Sequence, residues 1–172
     1  GQPAFGPAYK IIEAQGVKNG IVGFLTQYIP HWEKPSIIKD LTFQSILTTA
    51  KDILPDLRQS VDLLIVAYHG GFERDLQTGL PTESLTGENE AYQLVEEYKD
   101  YIDALVTGHQ HREIADHLFG VPVIQPGYRG AFVGEIELEL DNHKKVVASN
   151  ARLHKTENCK VSSEVNQLIS DV

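Results

Sequence analysis

Two short apolar runs separated by a helical pattern constrain this chain more than any other feature. Residues 61–67, VDLLIVA, form a nearly continuous branched apolar run, and residues 103–107, DALVT, form a shorter one. Such runs are typical of strands that are buried on both faces. Between them, apolar residues recur at the three- and four-residue spacing of a helix at Ala91, Leu94, Val95 and Tyr98. The middle of the chain is therefore predicted to be strand, helix, strand, a parallel unit with a right-handed crossover.

Alternating apolar and polar residues predict antiparallel hairpins on both sides of this unit. Residues 9–13 and 17–25 flank the turn signal AQG and predict the first hairpin. Residues 131–140 and 144–155 alternate around the turn DNHKK and predict the second hairpin, which follows a short strand at 121–125. The predicted fold class is therefore α/β, with a parallel unit followed by antiparallel hairpin strands.

The two predicted helices carry capping and breaking signals. An apolar stripe from Phe43 to Leu57 predicts a helix before the first buried strand. Thr42 or Asp40 is its predicted cap, and Pro55 is expected to bend or end it. Thr86 is the predicted cap of the helix inside the parallel unit.

Length and charge limit the classes of protein and partner. At 172 residues the chain fits one domain, residues 1–172, with loose termini at 1–4 and at 157–172, where 162–172 forms a weak helix. A net charge of −9 argues against a nucleic-acid duplex as the main partner, because the phosphate backbone is repelled. No run approaches the roughly 20 apolar residues of a membrane span. The single cysteine, Cys159, excludes an internal disulfide and a thiolate metal cluster.

Histidines follow both buried strands of the parallel unit. His69 lies two residues after Ala67, and His109 lies two residues after Thr107, with His111 close behind. Because the carboxyl ends of neighbouring parallel strands meet at one edge of a sheet, these three imidazoles are expected to lie within reach of one another. Any one of them alone is more simply a polar loop residue, but three at one edge favour a metal site.

The H-x-H pair suits a site for divalent metal ions. Neutral imidazole is a ligand for zinc, iron, manganese and nickel. In extended backbone an H-x-H pair directs both side chains to the same side of the chain. His109 and His111 can then chelate one ion, or reach two ions about 3.5–4 Å apart as in two-metal hydrolases.

The remaining candidates are weaker. His31, His117 and His154 are interpreted as solvated or surface residues, and Asp141–His143 as a hairpin turn rather than a source of ligands. Arg129 follows a strand and is flanked by glycines, so it either contacts a phosphate or is an exposed arginine in a fixed turn. The loop that carries Glu73, Arg74 and Asp75 either lines the site or is a solvated charged loop.

Three segments resemble the calcineurin-like metallophosphoesterases: VDLLIVAYHGG, ENEAYQLVEEYKDYIDALVTGHQH and GPAYKIIEAQGVKNGIVGF. More narrowly, they are similar to the bacterial 5′-nucleotidase and 2′,3′-cyclic-nucleotide 2′-phosphodiesterase branch, over about residues 5–156. The GHQH motif in its strand–loop setting, with an upstream strand that ends in histidine, is fairly specific. Members of this family are often exported or on the cell surface, and the residues leave the compartment of this protein open.

The resemblance implies an αββα sandwich that holds two divalent ions, with manganese, zinc, iron, calcium and magnesium as candidates. His69 and His109 match ligands of one ion, and His111 matches a ligand of the other. Plain 5′-nucleotidases often have glutamine where His111 stands, so the histidine leans toward the cyclic phosphodiesterases. The implied reaction is hydrolysis of a small phosphoester or nucleotide by water that the two metal ions activate.

The family's other ligand motifs are missing from the sequence. The chain has no G-D pair and no G-N-H, and its only D-x-H is the rejected turn. The family's nucleotide-binding C-terminal domain, with its aromatic base clamp, is missing too. We therefore expect the C-terminal half of a catalytic domain from a longer protein, with the catalytic residues upstream of Gly1. Such a piece should be inactive alone, and its open sheet edge and apolar surface favour self-association.

Two alternatives remain at this point. The three histidines could form a self-sufficient single-zinc hydrolase with an open fourth position. Alternatively, the chain is a non-catalytic regulatory or interaction module that kept the fold and lost the site.

Overall fold

The computed structural model of the chain describes residues 2–157 and 159–170. It has a six-stranded mixed sheet in the order β1-β2-β3-β4-β6-β5 and a two-stranded sheet made of β7 and β8. The strands are β1 Tyr9–Ala14, β2 Val17–Leu25, β3 Leu63–His69, β4 Ala104–Thr107, β5 Glu113–Leu118, β6 Val121–Pro126, β7 Phe132–Leu140 and β8 Val146–Lys155. The helices are α1 Pro35–Ile38, α2 Ile46–Ser60, α3 Ala91–Tyr98 and α4 Ser163–Ile169, with a 3₁₀ turn at Ile29–His31.

Four parallel strands form the centre of the large sheet. β2 pairs with β3, β3 with β4, and β4 with β6, all in parallel. The predicted strand–helix–strand unit is β3, α3 and β4, and the predicted second hairpin is β7 and β8. The α/β class, with a parallel unit followed by an antiparallel hairpin, is therefore confirmed.

The first hairpin is confirmed as β1 and β2, paired antiparallel. Its two-residue turn consists of Gln15 and Gly16, both with positive φ, 52° and 76°. Two positive φ values in succession belong to the turn type whose twist matches the twist of the flanking strands. The glycine adopts this conformation without a steric penalty.

Helix α2 differs from its prediction at the start, and of the two effects predicted for Pro55, a bend or an end, it does not end there. It begins at Ile46, where the Ser45 side chain accepts a hydrogen bond from the Leu47 N–H at 3.2 Å, so neither Thr42 nor Asp40 is the cap. Pro55 lies inside the helix, which continues to Ser60. An interior proline costs about 3 kcal/mol. Burial of helix side chains on both sides of it, at Leu54 and Leu57, offsets this cost.

The core lies between one face of the large sheet and the helices α2 and α3. On β3 this face is fully buried at Leu64, Val66 and Tyr68. The opposite face of the strand is only partly covered, with Ile65 half-buried and Ala67 exposed. The expectation of burial on both faces is therefore wrong for β3, because the described residues place helices on one face only.

The β7–β8 hairpin covers part of the opposite face, over β5 and β6. Gly134 of β7 lies so close to Ile124 of β6 that a Cβ on the glycine would meet the Ile124 side chain at 2.8 Å. Glycine therefore permits the two sheets to approach at this position. Toward β2 the same face is open, with Leu25 49% exposed and Val106 of β4 38% exposed.

Strand β5 was not predicted. It runs antiparallel to β6 at the edge of the sheet, beyond the parallel strands. Its sequence, EIADHL, alternates only weakly, with Ile114 and Leu118 buried. Two buried residues in six are too few to separate an edge strand from a loop by periodicity.

Near the C-terminus, α4 occupies part of the predicted weak helix, and residues 171–172 lie outside the described residues. The described side chains of α4 are exposed. Cys159 is exposed and free. None of the helices in residues 2–157 and 159–170 has the length and apolar character needed to cross a membrane.

Candidate metal centre

His69 and His109 lie side by side at the carboxyl edge of the large sheet. His69 is the last residue of β3, and its ring centroid is 5.4 Å from that of His109. The Gly108 N–H donates to the Gly70 carbonyl at 3.2 Å and so continues the pairing of β3 and β4 into their loops. The two loops are therefore adjacent, as the parallel unit predicts.

His111 lies close enough to influence His69. Burial lowers the pKa of His69 below its usual value, and the positive charges of His109 and His111 lower it further. The ring of His111 itself stacks on Tyr128, with centroids 5.3 Å apart and planes 16° apart. A lowered pKa keeps His69 neutral, which is the form of imidazole that binds metals.

The H-x-H pair is not extended, so that expectation is wrong. His109 and His111 have φ angles of 68° and 58°, in the left-handed region. Residues 108–112 belong to no strand, because the chain leaves β4 here and enters β5 on the far side of β6. Left-handed backbone at non-glycine residues is uncommon and concentrates at functional sites.

Gln110, between the two histidines, joins the loops after β3 and β4. Its Oε1 accepts from the Phe72 N–H at 2.9 Å, and its Nε2 donates to the Phe72 carbonyl at 3.0 Å and to Glu83 at 2.9 Å. A Cβ on Gly71 would lie 2.1 Å from Gln110 Oε1. Glycine at position 71 therefore makes room for the glutamine.

Gln125 of β6 supports the same turn from below. This fully buried side chain accepts from the Arg112 N–H at 2.7 Å and donates to Thr107 Oγ1 at 3.1 Å. It thus binds the last residue of β4 and the last residue of the turn. Sequence reasoning placed Gln125 in a strand and assigned it no part in the site.

Glu88 was also missed as a site residue. Its Oε1 lies 2.8 Å from His109 Nε2, and its carbonyl accepts from Thr26 Oγ1 at 2.6 Å. A carboxylate on one imidazole nitrogen fixes the orientation of the ring. The signal in the sequence was weak, because Glu88 and Glu90 fit equally well as acidic residues near a helix start.

Glu73 neither lines the site nor belongs to a solvated loop, the two alternatives for its segment. It is buried, and its carboxylate accepts from the N–H groups of Tyr92 and Gln93 at 3.0 and 2.8 Å, in the first turn of α3. Glu73 therefore caps α3, and Thr86 does not. Burial raises the pKa of Glu73, although its backbone hydrogen bonds act in the opposite direction.

An aromatic segment after β2 also reaches the site. The Trp32 ring lies 5.0 Å from that of His109, and Tyr28 contacts Trp32 edge-on at 5.7 Å. His31 stacks on Tyr28 at 3.7 Å. His31 was interpreted as a solvated loop residue. It is exposed, and the rings of Tyr28 and Trp32 lie between it and His109.

Arg129 lies on an exposed turn after β6, with φ 56°. Its guanidinium lies over the Tyr128 ring, 5.3 Å from the centroid, and that ring also stacks on His111. The turn therefore brings Arg129 to the same edge of the sheet as the histidines. His117 contacts Ser149, and His154 contacts Glu135, both in exposed hydrogen bonds.

The donor set fits part of a metal site. Among residues 2–157 and 159–170, no group of three or more His, Cys, Asp or Glu side chains has the arrangement of a complete one. The imidazoles of His69 and His109, with Glu88 beside the latter, are nitrogen and oxygen donors suited to a borderline divalent ion. A full coordination shell needs further donors.

Comparison with known proteins gives a consistent group of relatives. The chain is 30% identical over 143 residues to a 2′,3′-cyclic-nucleotide 2′-phosphodiesterase/3′-nucleotidase of Salmonella typhimurium, matching 74% of the chain and 21% of that enzyme. It is 28% identical over 142 residues to the trifunctional nucleotide phosphoesterase protein YfkN of Bacillus subtilis, matching 74% of the chain and 9% of that protein. The chain thus spans a small part of the length of these relatives. No protein-family model matches it.

A solved structure matches nearly the whole chain. It is a Staphylococcus aureus protein assigned as a 5′-nucleotidase, crystallised in complex with α-ketoglutarate. The match covers 96% of the chain and 33% of that protein, with 38% identity and a TM-score of 0.86. The chain therefore has the fold of one part of that larger molecule.

Proposed function

We propose that this chain, a homologue of the bacterial 5′-nucleotidases and 2′,3′-cyclic-nucleotide phosphodiesterases, supplies part of the metal centre of an enzyme that hydrolyses phosphate esters. The observation that carries the proposal is that the rings of His69 and His109 lie 5.4 Å apart at one edge of the sheet, with His111 in the same turn and near enough to lower the pKa of His69. The fold does not need three imidazoles there. The substrates that we infer are nucleotides or cyclic nucleotides, as the names of the relatives suggest.

His69 and His109 would hold one divalent ion, and His111 would hold a second. When bound, such ions draw negative charge from phosphoryl oxygens and lower the pKa of water. The chain's own contribution is to keep the ligands neutral and in place. The lowered pKa of His69 serves the first need.

Positioning comes from amide and carboxylate side chains. Gln110 joins the loop of His109 and His111 to the loop after His69, and Gln125 supports the turn from beneath. Glu88 occupies Nε2 of His109, which leaves Nδ1 of this ring free for an ion. In this arrangement the imidazoles need little rearrangement to bind a metal.

Arg129 is the proposed contact for the phosphate of the substrate. It is exposed at the metal edge of the sheet, and Tyr128 supports its guanidinium. A guanidinium group binds phosphate oxygens in a bidentate geometry. Its positive charge also offsets, near the site, the net charge of −9 on the chain.

We further propose that the 172-residue piece is inactive by itself. The missing donors would come from a preceding half of the catalytic domain, and a following nucleotide-binding domain would complete the substrate site. The incomplete donor set and the partly open sheet face support this view.

Metal analysis and phosphodiesterase assays test the proposal together. In the intact protein that contains this segment, His109→Ala or His111→Ala should remove most turnover of bis(4-nitrophenyl) phosphate, whereas His154→Ala, an exposed histidine outside the site, should not. Near-normal turnover by either site variant with added Mn²⁺ would contradict the assignment.

The same measurements separate the two alternatives. One zinc ion per chain, with ester hydrolysis by the 172-residue piece alone, would indicate a single-zinc hydrolase. An intact protein that binds no metal and has no upstream ligand motifs would indicate a non-catalytic module.

A further inference from the structure

A continuous row of five aromatic rings leads to the candidate metal centre. It runs His31, Tyr28, Trp32, His109 and His69, with successive centroid distances of 3.7, 5.7, 5.0 and 5.4 Å. The last two rings are proposed metal ligands. Trp32 is therefore the first ring outside the metal centre.

Backbone hydrogen bonds fix the position of Trp32. The Trp32 N–H donates to the Ile29 carbonyl at 3.0 Å, at the end of the 3₁₀ turn. The turn itself follows Thr26, whose N–H donates to the His69 carbonyl at 3.1 Å and so extends the pairing of β2 with β3. The indole is thus held on the same frame as the imidazoles.

Packing alone does not account for Trp32. Its side chain is 47% exposed, although tryptophan is on average a strongly buried residue. About half of a large apolar ring therefore faces solvent beside the place where the substrate phosphate would bind. An exposed aromatic surface next to a polar site is typical of a surface that receives a ligand.

The charge of the chain makes such a surface useful. With a net charge of −9, these 172 residues repel anionic esters. A planar ring in the ester gains stacking energy on an indole regardless of charge, and every nucleobase offers such a face.

We propose that Trp32 is a specificity-determining residue that stacks on the planar ring of a phosphoester while the phosphate lies at the histidines. The inference rests on the proposed function. It gives this chain a ring-binding surface of its own, in addition to any base-binding site on another domain.

Fluorescence tests the proposal, because Trp32 is the only tryptophan in these 172 residues and its emission is isolated by subtracting that of a Trp32→Phe variant. The intact, zinc-loaded protein that contains this segment is titrated with adenosine 5′-monophosphate and with ribose 5-phosphate, which lacks the base. Stacking should quench the Trp32 emission in a saturable manner with the first ligand, whereas the second should leave the emission nearly unchanged.

Calorimetry on matched variants measures the size of the effect. Trp32→Ala should weaken binding of adenosine 5′-monophosphate about 5- to 100-fold and binding of ribose 5-phosphate less than about 2-fold. Trp32→Phe should keep most of the affinity. Tyr9→Ala serves as control, because Tyr9 has a similar exposure of 44% on the edge strand β1.

Three other outcomes would overturn the inference. Equal weakening of both ligands by Trp32→Ala would mean that the indole only supports His109. Equal binding of both ligands by the unmodified intact protein would mean that the base makes no contact. If the intact protein that contains this segment binds neither a divalent ion nor either ligand, the proposed function itself fails, which metal analysis of the intact protein alone detects.

Discussion

The side chain of Gln110 pairs with the main chain of Phe72 as a neighbouring strand would. Oε1 accepts from the Phe72 N–H at 2.9 Å, and Nε2 donates to the Phe72 carbonyl at 3.0 Å. One residue lies in the turn after β4 and the other in the loop after β3. Together with the Gly108–Gly70 backbone hydrogen bond, this amide holds the turn that carries His109 and His111 against the loop after His69.

Replacing this amide should loosen the site and the fold together. Gln110→Ala removes two hydrogen bonds to the Phe72 backbone and one to Glu83, so we expect a loss of about 2 kcal/mol in the free energy of unfolding. Zinc affinity should fall as well. Urea denaturation and zinc titration measure the two effects. Gln93→Ala, which removes only an exposed hydrogen bond to Glu97, should stay within about 0.5 kcal/mol.

Gly71 and Gln110 should be energetically coupled. A Cβ at position 71 would displace the Gln110 amide, which lies 2.1 Å away, so Gly71→Ala should lose the same hydrogen bonds. The double variant should then be more stable than the sum of the single effects predicts, by at least about 1 kcal/mol. Additive effects in urea denaturation would contradict this. Gly23→Ala is the control, because a Cβ there meets nothing within 4 Å.

The left-handed backbone of the histidine turn should cost stability. His111 has φ 58°, which glycine adopts without strain, so His111→Gly should be more stable than His111→Ala by about 1 kcal/mol. Thermal unfolding of the two variants measures the difference. At His117, in strand β5, the order should be reversed, because glycine weakens a strand. If the alanine variant is the more stable one at position 111 as well, the backbone of residue 111 is unstrained.

Glu73 and Asp75 should differ in how their contributions to stability depend on pH between 7 and 4.5. Burial raises the folded pKa of Glu73 above the ordinary value of 4.5, so the folded state binds the proton more tightly than the unfolded state. The stability contribution of this proton is fully present below pH 4.5 and is lost as the pH rises through the folded pKa. As the pH falls from 7 to 4.5, the free energy of unfolding of the unmodified chain should therefore rise relative to that of the Glu73→Gln variant. Urea denaturation measures both values.

Asp75 is the matched control, two residues away. Hydrogen bonds from the Thr78 N–H and hydroxyl lower its pKa below 3.8. Its contribution is present above pH 3.8 and is lost as the pH falls through the lowered value. The difference between the chain and Asp75→Asn should therefore stay constant from pH 7 to 4.5. A change of the same sign for both variants would show that burial does not govern Glu73.

The open sheet face should make the chain self-associate. Leu25 of β2 and Val106 of β4 are 49% and 38% exposed on the same face of the sheet, on the two parallel strands that flank β3. Light scattering should show dimers or larger species, and Val106→Lys should shift them toward monomers. Val147→Lys, on the separate β7–β8 sheet, should have little effect. A well-behaved monomer of the unmodified chain would contradict this prediction.

Most strands, and the nearness of His69 and His109, were predictable because each rests on short-range patterns. The run 61–67 and the histidines after it require only the rule that parallel strands end at the same edge. The helix caps were not predictable from neighbouring residues alone. Glu73 caps α3 from 18 residues before its first residue, Ala91, and nothing near Ala91 in the sequence indicates that contact.

The geometry of the H-x-H pair was wrong for a related reason. An extended pair is the simplest reading of residues that follow a strand. The actual backbone depends on where the next strand lies, and β5 was the strand with the weakest pattern. The roles of Gln110 and Gln125 could not be predicted, because the sequence does not distinguish a structural glutamine from one exposed to solvent. Only the fold shows that Gln110 joins two loops and that Gln125 is fully buried.

The turn that carries His109 and His111 bridges strand β6, since β4 lies on one side of β6 and β5 on the other. Residues 108–112 must therefore cross two strand spacings, about 9–10 Å. Many loops between neighbouring elements tolerate insertions. The length of this turn, in contrast, is set by the distance that it must span across β6. An engineer who wishes to change what the centre accepts should leave its length alone and vary the rings of Trp32 and Tyr128 on either side.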